Sequence, residues 1–239
     1  MTSEIDIRIA KAQKLRERGH DPYHPAKFKR SDFVKDVRSK YNESEESDNH
    51  YVSIGGRVTS IRDMGKSIFF NVEDQTGAIQ IYAKKDNLGD ERIAILKECL
   101  DVGDWMGVQG EVFKTRSGEL SVAARDYRFL TKSTRPLPLG KSKDGERYSS
   151  LDDSELIYRQ PEVGMATDKV RFETLRRRAG IIRTIRENLW ARGFDETDTP
   201  ILEAVYGGAN ARPFVTHVNA LDQLPAYLRI SLELPLKRL

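Results

Sequence analysis

Four side chains on separate segments of this 239-residue chain have the chemistry to hold an unpaired nucleic-acid base: Arg57, Phe69, Gln80 and Glu119. Their segments alternate apolar and polar residues, the period-two pattern of a strand with one buried face. In residues 67–73, Ile68, Phe70 and Val72 share the face that must be the core. Phe69 then points the other way, beside Ser67, Asn71 and Glu73. By the same parity Ile79 and Ile81 point inward and Gln80 outward. Val52, Ile54 and Val58 point inward and Arg57 outward, and Leu120 and Val122 point inward with Glu119 outward. An exposed aromatic ring offers a stacking surface worth about 1–3 kcal/mol per base. An amide and a carboxylate can contact the base edge, and Arg57 or Arg62 can stack or meet phosphate. Phe69 taken alone fits equally well under a loop or against an N-terminal helix, and the residues by themselves leave both readings open.

A second constellation lies near the C-terminus. At Gly207-Gly208 no side chain keeps backbone from approaching a ligand closely. Glu233 supplies a carboxylate, the partner that an ammonium group in a closed pocket requires. The glycine pair can equally mark a turn, and a glutamate near a helix start can cap it or face solvent. Pro235 has no N–H, so it fits only the first turn of a following helix. Cys99 is the single cysteine. It excludes an internal disulfide and a Cys-based zinc site, and it fits a reducing compartment. No catalytic residue and no metal ligand can be named in this chain.

The elements that position these groups follow from the same patterns. Residues 51–61, 67–73, 78–83, 104–114 and 119–129 are expected as strands, with turns at Gly65, Gln75-Thr76-Gly77 and Ser117-Gly118. A helix over 91–100 sits between the third and fourth strands. That is the order of an OB-fold barrel, although another small barrel shares it. Residues 5–18 are expected as a helix with an apolar stripe of Ile5, Ile9, Ala12 and Leu15, stopped by Gly19. A longer helix begins after a cap at Thr167 or Asp168, gathers Val170, Phe172, Leu175, Ile182, Ile185 and Leu189 on one face, and closes at Gly193. The expected fold class is α+β: an N-terminal helix and linker over 1–50, a five-stranded OB-fold barrel over 51–132, a linker over 133–165, and the start of an antiparallel-sheet domain over 166–239.

Charged residues make up 32% of the chain, the net charge is +3 and mean hydropathy is -0.60. Residues 11–40 are rich in Lys and Arg and 42–48 are acidic. Such a basic arm suits a phosphate-bearing partner, or is a solvated face. No apolar run is long enough to span a membrane and the N-terminus has no signal-peptide core, so a cytoplasmic location is expected.

Larger stretches add a resemblance. Gly56-Arg57, Met64-Gly65-Lys66, Asp74, Ile79-Gln80-Ile81-Tyr82 and Ser117-Gly118-Glu119-Leu120-Ser121 resemble the anticodon-binding barrel of bacterial class II lysyl-tRNA synthetases. Lys14-Leu15-Arg16-Glu17 and Gly19-His20-Asp21-Pro22-Tyr23 are similar to that family's N-terminal helix and its exit. The long helix with Pro200 resembles motif 1 of class II synthetases. Gly207-Gly208-Ala209-Asn210-Ala211-Arg212-Pro213-Phe214 and Leu232-Glu233-Leu234 resemble stretches distinctive of the lysine enzymes. The sequence departs from the family at Pro161-Glu162-Val163-Gly164 and around Glu233, where Leu232 and Pro235 replace more usual residues.

The resemblance implies a lysine–tRNA ligase. Such an enzyme joins lysine to ATP with Mg²⁺ as lysyl-adenylate and passes the lysyl group to tRNA(Lys). It implies that the ring at Phe69 stacks on an anticodon base and that Gln80 and Glu119 contact anticodon bases. It also implies that the Gly208 backbone and the Glu233 carboxylate bind lysine, and that the motif containing Pro200 builds a homodimer interface. The ATP-binding arginines of motifs 2 and 3, and most of the ATP and Mg²⁺ sites, would fall beyond Leu239. The chain alone is therefore expected to be inactive in aminoacylation. The alternatives are a stand-alone tRNA- or RNA-binding module carrying a vestigial class II segment, and an aspartyl- or asparaginyl-tRNA synthetase. The Gly-Gly-Ala and Ala-Arg-Pro-Phe run argues against the last.

Overall fold

The structure is a computed structural model that describes residues 3–24, 27–43, 50–139, 141–143, 146–148 and 154–239. Most of the acidic run at 42–48 lies outside the described residues.

The first helix, α1 (Glu4–Glu17), opens with a capping box: Ser3 Oγ accepts from the Asp6 amide and Asp6 accepts from the Ser3 amide. Its buried face differs from the expected apolar stripe. Arg8, Ala12 and Leu15 are buried, whereas Ile5 and Ile9 remain 39% and 51% exposed. The reason is ionic. Arg8 donates to the carbonyls of Val102 and Ser133 and pairs with Glu4, Lys11 pairs with Asp101, and Lys14 and Arg18 both reach Glu98. Those cations sit at helical spacing, so they define the docked face and carry the isoleucines away from it.

A second helix, α2 (Val34–Glu43), follows. Val34 and Val37 are fully buried. Its first amides are satisfied from far along the chain: Val34 donates to Asp74 Oδ2 at 2.9 Å and Lys35 to Thr76 Oγ1 at 3.0 Å. One local bond joins them, the Phe33 amide donating to Asp36 Oδ2 at 3.1 Å, but the amides of Val34 and Lys35 are capped only by the β2–β3 turn.

Five strands then close a barrel: β1 (Tyr51–Asp63), β2 (Ser67–Asp74), β3 (Gly77–Lys84), β4 (Trp105–Lys114) and β5 (Leu120–Thr131), in the order β1-β2-β3-β5-β4. All pairings are antiparallel except β3 with β5. Between β3 and β4 lie α3 (Lys85–Leu88) and α4 (Asp90–Cys99). This is the OB-fold arrangement, with closure leaving no free sheet edge. The predicted parity holds inside the barrel, where Ile54, Val58, Ile68, Phe70, Val72, Ile79, Ile81, Val108 and Val122 are buried together. A bulge in β1 between Val58 and Ser60 shifts the register, so Ser60 and Arg62 continue the outer face that Arg57 begins.

After the barrel come a short hairpin of β6 (Lys141–Lys143) and β7 (Glu146–Tyr148), then α5 (Ser154–Arg159) and α6 (Pro161–Thr167). The chain divides into two compact units, residues 1–171 and 172–239. The long helix α7 (Lys169–Ala191) crosses that division. Asp168 caps it, accepting from the Val170 amide at 2.8 Å, and the Phe194 amide returns to Leu189 at its end. The second unit continues with β8 (Leu202–Glu203), β9 (Val215–Val218) and β10 (Leu224–Leu228) in the antiparallel order β8-β10-β9, then the single turn α8 (Glu233–Leu236). Pro235 lies in the first turn of α8, where a missing N–H costs nothing. Pro225 sits in the central strand, but β8 pairs only with Tyr227 and Leu228, so no strand flanks Pro225 on that side. No residue of α7 is buried, so its predicted apolar face is exposed along its length. Among the described residues, no helix is long and apolar enough to cross a membrane.

Candidate functional site

Strand register sorts the outer barrel face into rows. One row runs Arg62, Phe69, Tyr82, Ala123 across β1, β2, β3 and β5. The next runs Ser60, Asn71, Gln80, Ser121 and ends on Phe113 of β4. A third begins with Arg57 opposite Glu73.

Phe69 is partly exposed, and its ring stacks on Tyr82 with centroids 4.7 Å apart and planes 24° apart. Tyr82 in turn tilts against Phe113 at 5.9 Å. Phe69 therefore has one face covered by Tyr82 while the ring as a whole stays partly exposed. This cross-strand stack holds the ring upright on the sheet. Tyr82 and Phe113 were missed in the sequence, although parity marks both: Tyr82 lies two residues beyond Gln80 in its strand, and Phe113 shares the parity of Gln109 and Glu111.

Gln80 lies on the outer face yet is only 8% exposed. Its amide nitrogen donates to Ser121 Oγ at 2.9 Å, and its amide oxygen accepts from Arg62 Nη2 at 3.0 Å. The amide that the sequence offers to a base edge is thus already shared between two neighbours, and Arg62 is the exposed end of that chain. A guanidinium carries five N–H donors, so Arg62 retains donors for a ligand while Gln80 aims it. Arg57 sits over the Trp105 ring, 5.2 Å from its centroid. Burial pulls its guanidinium below the usual arginine value, and the nearby Glu73 opposes that. Glu119 lies just before β5 rather than within it. Its backbone is tied to Thr115 on both sides, by an amide donating to Thr115 Oγ1 at 3.0 Å and a carbonyl accepting from the Thr115 amide at 2.9 Å. Its side chain is exposed beside the Gln80–Ser121 row. The structure thus brings Arg62, Phe69 and Gln80 side by side, sets Arg57 one row away, and puts Glu119 on the rim.

In the second unit, Gly208 adopts φ +83, a conformation that favours glycine. A side chain there would come within 3.1 Å of both Glu233 Cβ and Ser231 Oγ. Residues 25 positions apart in sequence thus lie next to one another. The Glu233 amide donates to Ser231 Oγ at 3.1 Å, and its carboxylate pairs with Lys237 Nζ at 2.6 Å. Both side chains are exposed, so this pair contributes little to stability. The carboxylate is an open anion whose present partner is the chain's own ammonium. Pro200 lies elsewhere in the unit, exposed in the loop after α7. Arg229 Nη1 anchors that loop, donating to the Thr199 carbonyl and hydroxyl at 2.6 Å each and to the Pro200 carbonyl at 3.3 Å. Among the described residues, no group of three or more His, Cys, Asp or Glu side chains is placed to hold a metal ion, so no Mg²⁺ ligand is assigned.

Comparison with known proteins gives this geometry its context. Residues 52–130 match the family of OB-fold nucleic acid binding domains, and residues 153–239 match the class II tRNA synthetases of the D, K and N group. A lysine–tRNA ligase from Porphyromonas gingivalis is 40% identical over 238 residues, which is 98% of this chain and 41% of that protein. One from Thermotoga maritima is 42% identical over 235 residues, covering 97% of this chain and 45% of that protein. One from Azobacteroides pseudotrichonymphae is 40% identical over 244 residues, covering 100% of this chain and 48% of that protein. The chain spans a little under half the length of these relatives.

Proposed function

We propose, for a chain homologous to lysine–tRNA ligases over almost its whole length, that it supplies the anticodon-reading barrel and the opening of the lysine-activating domain of such an enzyme. In this reading residues 51–132 read the anticodon of tRNA(Lys). Residues 133–165 join the two parts, and 166–239 begin the catalytic domain. The observation that carries the proposal is the outer barrel face, where the partly exposed Phe69 ring stands beside the guanidinium of Arg62 held by Gln80.

The division of labour follows from the chemistry of each group. Phe69 stacks an unpaired base on the face away from Tyr82, a contribution of about 1–3 kcal/mol. Arg62, aimed by Gln80, donates to that base or its neighbour. Arg57 and Glu119 close the flanks, one cationic towards phosphate and one able to accept from a base amine. In the second unit the Gly208 backbone and the Glu233 carboxylate hold the lysine substrate. The ammonium of lysine replaces Lys237 on Glu233 through a charge-assisted hydrogen bond.

The reaction served is two-step. The lysine carboxylate attacks the α-phosphorus of ATP, forming the adenylate and expelling pyrophosphate. The lysyl carbonyl then passes to a hydroxyl of the terminal ribose of tRNA, releasing AMP. Mg²⁺ would supply charge neutralisation on the phosphates, and the residues that hold it are not assigned within this chain. The loop containing Pro200 would contribute to a homodimer interface, and the location would be cytoplasmic. The class II match covers the D, K and N enzymes together. The relatives at 40–42% identity are lysine enzymes, which favours tRNA(Lys) over the other two.

The test is a titration of the chain with an anticodon stem-loop carrying a UUU triplet against the same hairpin with a scrambled triplet, for the unmodified chain and Phe69→Ala. Selective binding that Phe69→Ala reduces by tenfold or more supports the reading. Equal binding to both hairpins, unchanged by the substitution, overturns it.

A further inference from the structure

The cations of the basic N-terminal arm fall into two sets. Lys11, Lys14, Arg16, Arg18 and Lys40 are committed to Asp101, Glu98, Asp21, Glu98 and Asp32. Lys27, Lys29, Arg30, Lys35 and Arg38 are exposed, and none of them pairs with a carboxylate among the described residues. Arg30 lies over the Phe33 ring at 3.5 Å, and Arg38 donates to the Ala78 carbonyl.

The uncommitted set is held in place on the barrel. Gly55 of β1 pairs with Gly107 of β4, which leaves a bare patch of sheet on the outer face. The Phe28 ring fills it: a side chain at Gly107 would come within 2.5 Å of that ring, and one at Gly55 within 3.6 Å. Further along, the Ser31 amide donates to the Ser53 carbonyl at 2.9 Å, and Ser53 Oγ donates to the Lys29 carbonyl at 2.8 Å. Residues 27–33 thus form a strap pinned across β1 and β4. It leads into α2, whose N-terminus is fastened to Asp74 and Thr76 at the β2–β3 turn. On the same outer face, Arg57 of β1 stands opposite Glu73 of β2 and Trp105 of β4, one row from the row that carries Gln80.

We propose that this strap is a phosphate rail: Lys27, Lys29 and Arg30, continued by Lys35 and Arg38, contact the sugar–phosphate backbone of the RNA whose bases lie on Phe69. The proposal rests on the RNA-binding reading above. Its physical basis is that cations with no carboxylate partner, carried on the same barrel as a base-stacking surface, release counterions when they meet phosphate, and they do so without regard to base identity.

The experiment uses the full chain with Lys27, Lys29 and Arg30 together changed to Gln. These side chains are exposed, and an unchanged thermal midpoint verifies folding. The same two hairpins are titrated at several salt concentrations, beside Phe69→Ala. The expected result is an equal loss of affinity for UUU and scrambled hairpins, of tenfold or more at low salt. The plot of log affinity against log salt should flatten by about 0.7–0.9 for each phosphate contact removed. Phe69→Ala should instead lose discrimination at an unchanged slope. Unchanged affinity and slope in the triple variant overturn the rail, as does a loss confined to the UUU hairpin or the absence of RNA binding by the unmodified chain. A flattened slope in the triple variant with no effect of Phe69→Ala keeps the rail and removes the base-reading proposal.

Discussion

Gln80 lies on the proposed binding face while offering that face almost nothing directly. Its amide is buried between Ser121 and Arg62, so its effect on a ligand must pass through the guanidinium it steadies. Gln80→Ala is expected to leave Ser121 without its amide donor and to free Arg62. Affinity for the UUU hairpin should then fall by the value of about one hydrogen bond to a charged group, roughly 1.5–3 kcal/mol, with a smaller loss for the scrambled hairpin. The paired titration checks this, and equal losses for both hairpins would place Gln80 in the fold alone. A second residue prediction concerns Lys132, whose ammonium is fully enclosed between Asp101 and Asp104 at 2.5 and 2.7 Å. Lys132→Met leaves buried Asp104 without its cation and Asp101 with Lys11 alone, and should destabilise the barrel by about 3–5 kcal/mol. Urea unfolding measures it, and adding Asp104→Asn to the variant should recover part of the loss.

Helices show where sequence patterns suffice and where they do not. The strands and their parity could be read directly, because one face of each is buried and the period is two; Ile68, Phe70 and Val72 behave as their spacing demands. The long helix was equally readable, from a local cap at Asp168 and a local stop at Gly193. For α1 the helix was readable but not its docked face. A hydrophobic stripe was expected, and the helix is instead seated by Arg8, Lys11, Lys14 and Arg18 on acceptors 80 or more residues away, which no local pattern reveals. The helix α2 was missed for a related reason: the amides of Val34 and Lys35 are capped by Asp74 and Thr76, and the local signal is reduced to Asp36 accepting from the Phe33 amide. Tyr82 and Phe113 were within reach of the parity rule, whereas the burial of Gln80 depended on Ser121, a partner set by barrel closure. This mode of docking predicts a pH dependence for α1. Burial tends to raise Asp101, but its hydrogen bonds from Lys11 and Lys132 outweigh that and hold it below the usual carboxylate value. A depressed carboxylate stabilises the fold above its unfolded value, about 4, and that stability is lost as pH falls through the folded value. Burial instead holds Asp104 above the ordinary range, against the pull of Lys132, so its ionisation works in the opposite sense as pH rises above about 4. The stability of the native chain should therefore drop on the acid side below about pH 4, and Asp101→Asn should be less stable at neutral pH with a shallower acid loss. Chemical unfolding at stepped pH measures both.

At the scale of the whole molecule, the two units differ in how much apolar surface they remove from water. The barrel encloses a continuous core of more than a dozen aliphatic and aromatic side chains from all five strands. In residues 172–239, among those described, only Thr199 and Ala226 are buried, while Phe172, Ile181, Ile185, Trp190, Phe194 and Phe214 are exposed. Ordering a residue costs about 1–2 kcal/mol of backbone entropy, and burial recovers roughly 25 cal/mol for each Å² of apolar surface. Segments that bury little open locally at low free energy, whereas those anchored in a closed core open only with global unfolding. Amide hydrogen exchange of the chain should therefore show strong protection in β1 to β5, and rapid exchange through α7 and the β8-β10-β9 sheet despite their hydrogen-bonded backbones. Under dilute protease, cleavage should begin within residues 172–239 and leave a resistant product containing the barrel and α1. Slow exchange in α7 to the same degree as in β2 would refute this, and would mean that the apolar faces of Phe172, Ile185 and Trp190 are covered in solution. The same distribution bears on the two proposed sites. The RNA face and its strap rest on the rigid barrel, so their geometry should persist in the chain by itself. The Gly208–Glu233 contact rests on the lightly buried unit, so its geometry should depend on whatever covers those faces.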